Sequence, residues 1–229
     1  MKHLVRDLWR LFYPRLCISC KHGLIEGETI FCLRCAYSLP EFDHYEDTAH
    51  PAYVQLQGLT PFRNVVAAYK YSVSSMLKSA FKALKYGDRP YVGNALGHAL
   101  GKYLLRYDDY RSCEVVIPVP LHKSKLRTRG YNQALMISTA VGEEMGIPVH
   151  HDILERVRSG STQTRKNRWQ RQAMAGDNYQ LTTTDLPYRS VLIIDDIITT
   201  GATITACGEA FRSHPDMNLF AASVAFTKK

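Results

Sequence analysis

The residues best suited to chemistry lie in one run, Val191-Leu192-Ile193-Ile194-Asp195-Asp196-Ile197-Ile198-Thr199-Thr200-Gly201-Ala202-Thr203. Four branched apolar residues read as a strand buried on both faces. That strand is expected to end on the two acids, and a helix to start near Ile204. Ligands of open parallel sheets sit beyond the carboxyl ends of the strands. A Thr-Thr-Gly turn entering a helix offers backbone N–H groups and hydroxyls to a phosphate. Adjacent carboxylates suit the hydroxyls of a ribose, a bound cation, or both. A loop that reads a phosphate and a sugar diol points to a phosphorylated pentose. An ordinary strand and turn with an N-capping threonine is the alternative that needs no ligand.

Cys17-Ile18-Ser19-Cys20 and Cys32-Leu33-Arg34-Cys35 form two CxxC knuckles. Four thiolates at this spacing can close a tetrahedral zinc site, and the fragment has too few large apolar residues for a core of its own. Metal would then supply its folding free energy. Disulfides compete with this reading, although no export signal accompanies them. Cys113 and Cys207 stand alone and read as buried thiols. His22 could replace a cysteine ligand, but four cysteines leave it no place.

The net charge of +8 is unevenly spread: Arg111 to Arg171 holds eleven Lys/Arg against five Asp/Glu. Such a field serves a small polyphosphate, a nucleic-acid backbone, or simply a solvated basic face. No apolar run reaches the roughly 20 residues of a membrane span. Leu4, Leu8, Leu11 and Phe12 recur at helical spacing, interrupted by Arg6, Asp7 and Arg10, which fits a short amphipathic helix better than a signal peptide. A cytoplasmic location is the expectation.

The positioning elements follow from pattern. Residues 36 to about 60 read as a connector in which His44 and His50 are solvated. Strands are expected near residues 65, 115, 150, 191 and 220, with helices between them, making a parallel α/β sheet. One helix is expected from a cap at Ser74 or Ser75 to Leu84, another over about 91–105, and a third starting at Gly130. Lys70, Lys78, Lys82 and Lys85 alternate with Tyr69, Tyr71, Phe81 and Tyr86, which suits base stacking but also an ordinary amphipathic helix. Lys85-Tyr86-Gly87 stands apart because it ends the helix. After Ile117-Pro118-Val119-Pro120 come Leu121 and His122, then four cations, Lys123, Lys125, Arg127 and Arg129, at the same sheet edge. These could hold the pyrophosphate end of a ligand whose other phosphate occupies the 199–203 turn. Residues 156–178 read as a hydrophilic loop able to close over substrate.

The 191–203 run resembles the signature loop of type I phosphoribosyltransferases, which binds 5-phosphoribosyl-1-pyrophosphate (PRPP). With the four-cysteine knuckle, Pro-Val-Pro-Leu-His and Arg129-Gly130-Tyr131-Asn132-Gln133-Ala134, the chain resembles the ComF (ComFC/GntX-like) group from about Cys17 to Phe226. The resemblance implies a type I phosphoribosyltransferase-like parallel sheet flanked by helices over residues 49–229. It also implies a small N-terminal helix and zinc module over residues 1–48, with Cys17, Cys20, Cys32 and Cys35 as the metal ligands. By position, Asp195 and Asp196 would bind the ribose diol directly or through Mg²⁺. Thr199, Thr200, Gly201, Ala202 and Thr203 would hold the 5-phosphate. Pro118, Val119, Pro120, Leu121 and His122 would form the pyrophosphate loop, supported by Arg127 and Arg129, and Gln163, Arg165 and Arg168 would belong to the flexible loop. There the chain departs from the group, reading Arg171-Gln-Ala-Met-Ala-Gly-Asp-Asn-Tyr in place of Arg-x-x-Asn-Val-x-x-Ala-Phe. The group's association with competence implies handling of single-stranded DNA, with competence-machinery proteins as possible partners. A working transferase using PRPP and Mg²⁺ and a PRPP-sensing regulator are the competing expectations.

Overall fold

The computed structural model describes residues 14–42, 49–72, 76–87, 89–157 and 179–227. Its centre is a four-stranded, all-parallel sheet of order β1-β6-β5-β2, made of β1 (Asn64–Lys70), β2 (Val115–Pro118), β5 (Ser190–Ile198) and β6 (Asn218–Phe226). All four strands are nearly continuous apolar runs, as burial on both faces demands. Val65–Ala68, Val191–Ile194 and Ala221–Ala225 are shut away from solvent. A separate antiparallel ribbon joins β3 (Leu154–Arg156) to β4 (Tyr179–Leu181).

The strand expected near residue 150 is reduced to a single parallel bridge, Val116 to Val149. Pro148 O accepts the Val116 N–H at 2.9 Å and the His150 N–H returns to Val116 O at 3.0 Å, but Pro148 has no N–H with which to carry the ladder further back. The connector expectation also fails in part. Within it stands α2 (Pro51–Leu56), and His50 is buried rather than solvated. His50 Nδ1 accepts the Ala52 N–H at 3.0 Å, and its Nε2 lies 3.1 Å from Ala67 O. Burial holds this imidazole down to about 4, with the Ala67 carbonyl opposing. Residues 40–42 pair along the outer edge of β1, where Phe42 N–H donates to Ala68 O at 2.9 Å. His44 lies outside the described residues.

Besides α1 (Leu33–Tyr37), the helices are α3 (Leu77–Tyr86), α4 (Pro90–Leu104), α5 (Asp108–Arg111), α6 (Lys123–Arg129), α7 (Gln133–Met145) and α8 (Ala202–Glu209). The proposed caps Ser74 and Ser75 fall outside the described residues. Gly130 does not start a helix: at φ 80° it ends α6, and the Asn132 side chain caps α7 through Ala134 N–H at 3.1 Å. α4 and α7 pack together and against the sheet, with α3 against α4, while α8 packs on β5 and meets β4 of the ribbon. The α4–α7 seam is so close that a Cβ on Gly97 would stand 2.4 Å from Ile137 O. Among the described residues no helix is long and apolar enough to cross a membrane.

Candidate functional site

β5 does not stop at the acids, contrary to expectation. It stays paired with β6 as far as Ile198 opposite Phe226, whereas β2 leaves after Pro118 opposite Ile194. The last tie on that side is Val119 N–H to Ile194 O at 2.8 Å. Asp195 and Asp196 are therefore held from the β6 side and open on the β2 side, at the carboxyl edge where ligands of such sheets bind.

Successive side chains of a strand point to opposite faces, and the acid pair divides accordingly. Asp196 Oδ2 meets Lys85 Nζ, from the end of α3, at 2.7 Å. Its other oxygen accepts the Ile197 N–H at 2.7 Å. Asp195 turns toward α8, where its charge acts on the Cys207 thiol and, across the ribbon, on the Tyr179 hydroxyl. Burial, reinforced by the Asp196 charge, pushes the Asp195 carboxyl up to about 8. The Asp196 N–H, 2.8 Å from Asp195 Oδ1, and Lys85 work against that rise.

Beyond Ile198 the turn is clamped by the unexpected helix α2. Gln55 Nε2 donates to Thr199 O at 2.8 Å. Gly201 has φ 78°, and a Cβ there would lie 2.1 Å from Leu56 Cδ2, so both backbone and space require glycine. Thr205 N–H closes the first helical turn on Gly201 O at 2.8 Å. Thr199, Thr200, Ala202 and Thr203 are exposed, and Thr200 Oγ1 only distantly accepts Ala202 N–H, at 3.4 Å. The start of α8 thus presents N–H groups and hydroxyls to solvent.

On the other side of the acids, Pro118 and Val119 are buried, while Pro120, Leu121 and His122 are half-buried. His122 is a helix cap: its Nδ1 accepts Ser124 N–H at 3.2 Å. α6 buries none of its residues and carries Lys123, Lys125 and Arg127 exposed. Arg129 lies 6.0 Å from the centroid of the Tyr86 ring and donates to Gln133 Oε1 at 3.1 Å. Tyr131 donates its hydroxyl proton to Leu84 O. Three consecutive residues, Leu84, Tyr86 and between them Lys85, therefore tie the end of α3 to the turn before α7, to α6 and to the acid pair. Basic and aromatic interleaving was visible in the sequence here, but the partner of Lys85 was not. Gln163, Arg165 and Arg168 lie outside the described residues.

The four knuckle cysteines do meet. Their sulfurs lie within 4.8 Å of one another, with Cys20 exposed and the other three buried. Burial opposes a Cys17 thiolate, yet the N–H groups of Cys32, Cys20 and Ser19 bring that thiol down to about 6. Burial and the crowding of neighbouring sulfurs push Cys35 up to about 12. Four sulfurs so placed can be thiolates together only around a cation, and could hold a metal ion such as zinc.

No family model matches the chain. It is similar to Competence protein F of Haemophilus influenzae, 34% identical over 101 residues, which are 43% of this chain and 44% of that protein. It is also similar to Competence protein ComFC of Bacillus subtilis, 24% identical over 135 residues, which are 58% of this chain and 52% of that protein. The matched stretches thus span about half the length of these relatives.

Proposed function

We propose that this chain, a ComF-type protein by its similarity to those competence proteins, binds PRPP at residues 195–203 and handles single-stranded DNA in the cytoplasm during uptake and transformation. One observation carries the reading: a lysine-paired acid pair and a glycine-dependent turn into a helix share the carboxyl edge of a parallel sheet. The exposed N–H groups and hydroxyls at the start of α8 suit the 5-phosphate. Asp195 and Asp196 suit the ribose diol and would also hold Mg²⁺, whose role would be to screen the pyrophosphate. Pro118 to His122, with Arg127 and Arg129, lie on the side where a pyrophosphate would extend. For DNA, exposed α6 offers cations and Tyr86 a stacking surface. The four cysteines would hold a structural zinc, and competence-machinery proteins would be its partners.

A second reading is a working phosphoribosyltransferase joining PRPP to a nitrogen acceptor. Lys85 and the α6 cations favour it, because cations beside the acid pair would stabilise departing pyrophosphate.

One calorimetric series tests both readings. Mg²⁺ and PRPP are titrated first, then a short DNA strand, with Asp195→Asn/Asp196→Asn as control. PRPP binding that the double variant abolishes supports the site, and binding that survives the change rejects it. DNA affinity that is absent or indifferent to salt removes the uptake role. Pyrophosphate release with an offered base separates turnover from binding alone.

A further inference from the structure

Arg156 ends β3, directly opposite Tyr179 on β4. Its guanidinium carbon stands 5.4 Å from the Tyr179 ring centroid. Its Nε is buried and has no hydrogen-bond partner. Buried arginine donors are almost always satisfied, because losing water without gaining an acceptor costs stability. Stacking on Tyr179 explains where the guanidinium lies, but it leaves the Nε donor unanswered.

β4 packs on α8, the helix that follows the Thr199–Gly201 turn. Burial raises both the Tyr179 hydroxyl and the Cys207 thiol, Asp195 raises them further, and Arg156 lowers them. Arg156 and Asp195 therefore act on the same two groups from the α8 side of the sheet. Yet among the described residues no ion pair joins Arg156 to a carboxylate, whereas Lys85 is paired with Asp196 and Arg129 donates to Gln133. Among these cations, Arg156 alone reaches no protein acceptor.

We propose that the Arg156 guanidinium is an anion-binding group of the acid-pair site, its forked N–H donors taking a carboxylate or phosphate oxyanion of the ligand. The proposal rests on the reading that residues 195–203 face a ligand. A guanidinium fork matches either oxyanion through two parallel hydrogen bonds, which a lysine cannot reproduce. The oxyanion has two sources: a phosphate of PRPP, or a carboxylate on a nitrogen acceptor. Candidate holders for both ends of PRPP already lie at the turn and at α6, so Arg156 would add a third anchor.

The full chain carrying Arg156→Gln or Arg156→Lys is titrated with Mg²⁺–PRPP and with inorganic pyrophosphate. It is then titrated with nicotinate and nicotinamide, a pair differing in the carboxylate, in the presence of Mg²⁺–PRPP. We expect both variants to lose tenfold or more in affinity for at least one oxyanion probe, with an unchanged melting temperature. Loss confined to pyrophosphate and PRPP assigns a phosphate, and loss for nicotinate but not nicotinamide assigns an acceptor carboxylate. Unchanged affinity for every probe in Arg156→Lys overturns the fork, even where Arg156→Gln does not fold. Wild-type protein that binds pyrophosphate through Arg156 but never PRPP keeps this proposal and removes the PRPP reading. Wild-type protein that binds no probe removes both.

Discussion

Lys85 Nζ and Asp196 Oδ2, 2.7 Å apart, join the end of a helix to the carboxyl end of the strand that carries the candidate site. Both side chains are mostly buried, so water screens the pair less than it would at a surface. Lys85→Met leaves Asp196 without its cation and should weaken Mg²⁺–PRPP binding by roughly tenfold, the scale of a charge-assisted hydrogen bond. Calorimetry reads this directly. Unchanged affinity would show that the ion pair is scaffolding alone.

Asp195 makes ligand binding depend on pH. Burial and the Asp196 charge raise its carboxyl to about 8, so a ligand or Mg²⁺ that needs the carboxylate must displace a proton near neutrality. Affinity should rise from pH 6.5 to 8.5, with proton release visible as a dependence on buffer ionisation enthalpy. The stability effect has the opposite sign. A carboxyl raised in the folded state stabilises it fully below the unfolded value of about 3.9 and loses that contribution as pH rises toward 8. Relative to Asp195→Asn, the wild-type melting temperature should therefore fall across that window. Parallel curves for the two proteins would refute the raised acid.

His50 should titrate the other way. Its folded value of about 4 lies below the ordinary 6.5, so the unfolded chain takes up the proton first and stability drains as pH falls from about 6.5 to about 4. The stability difference between wild type and His50→Gln should shrink over that range by about 3 kcal/mol at most. Denaturant melts at stepped pH measure it, and a constant difference would contradict the buried neutral ring.

Much of this arrangement could be read from residues alone, because it depends on local chemistry. The Val191–Ile194 strand, the acids, the Thr-Thr-Gly turn and the paired knuckles each declare themselves within a short stretch of sequence. What escaped depends on contacts distant in sequence. Nothing near His50 announces Ala67, nothing near Lys85 announces Asp196, and Leu56 explains Gly201 only once α2 lies beneath it. Arg156 looked like one cation in a hydrophilic stretch, since an unanswered donor is a property of packing. The short β3–β4 ribbon escaped because three-residue strands have too little alternation to register.

Gly201 offers a sharper mutational test than the threonines beside it. Alanine there meets Leu56 at 2.1 Å and must adopt φ 78°, at a cost of about 1–3 kcal/mol. Gly201→Ala should lower the melting temperature and weaken PRPP binding together. The double change Gly201→Ala/Leu56→Ala, which relieves the clash but not the backbone strain, should restore only part of the loss. Full restoration would mean that the left-handed backbone is unimportant.

Metal removal should act locally. Chelation should extract one zinc ion per chain and strip hydrogen-exchange protection from the amides of Cys17, Ile18 and Ala36, which bond within the knuckle. Amides of Val191–Ile194 should keep theirs. Loss of protection in both regions would mean that the knuckle supports the whole domain.

The interior position of β6 bears on how the molecule is made. Its neighbours β1 and β5 never touch each other as strands, so the sheet has no centre until residues 218–226 exist. Translation therefore delivers this strand after its three partners in the sheet, and a nascent chain halted before Asn218 exposes two apolar strand edges with nothing between them. Such a chain should cling to chaperones on the ribosome and let go only once residues 218–226 have emerged.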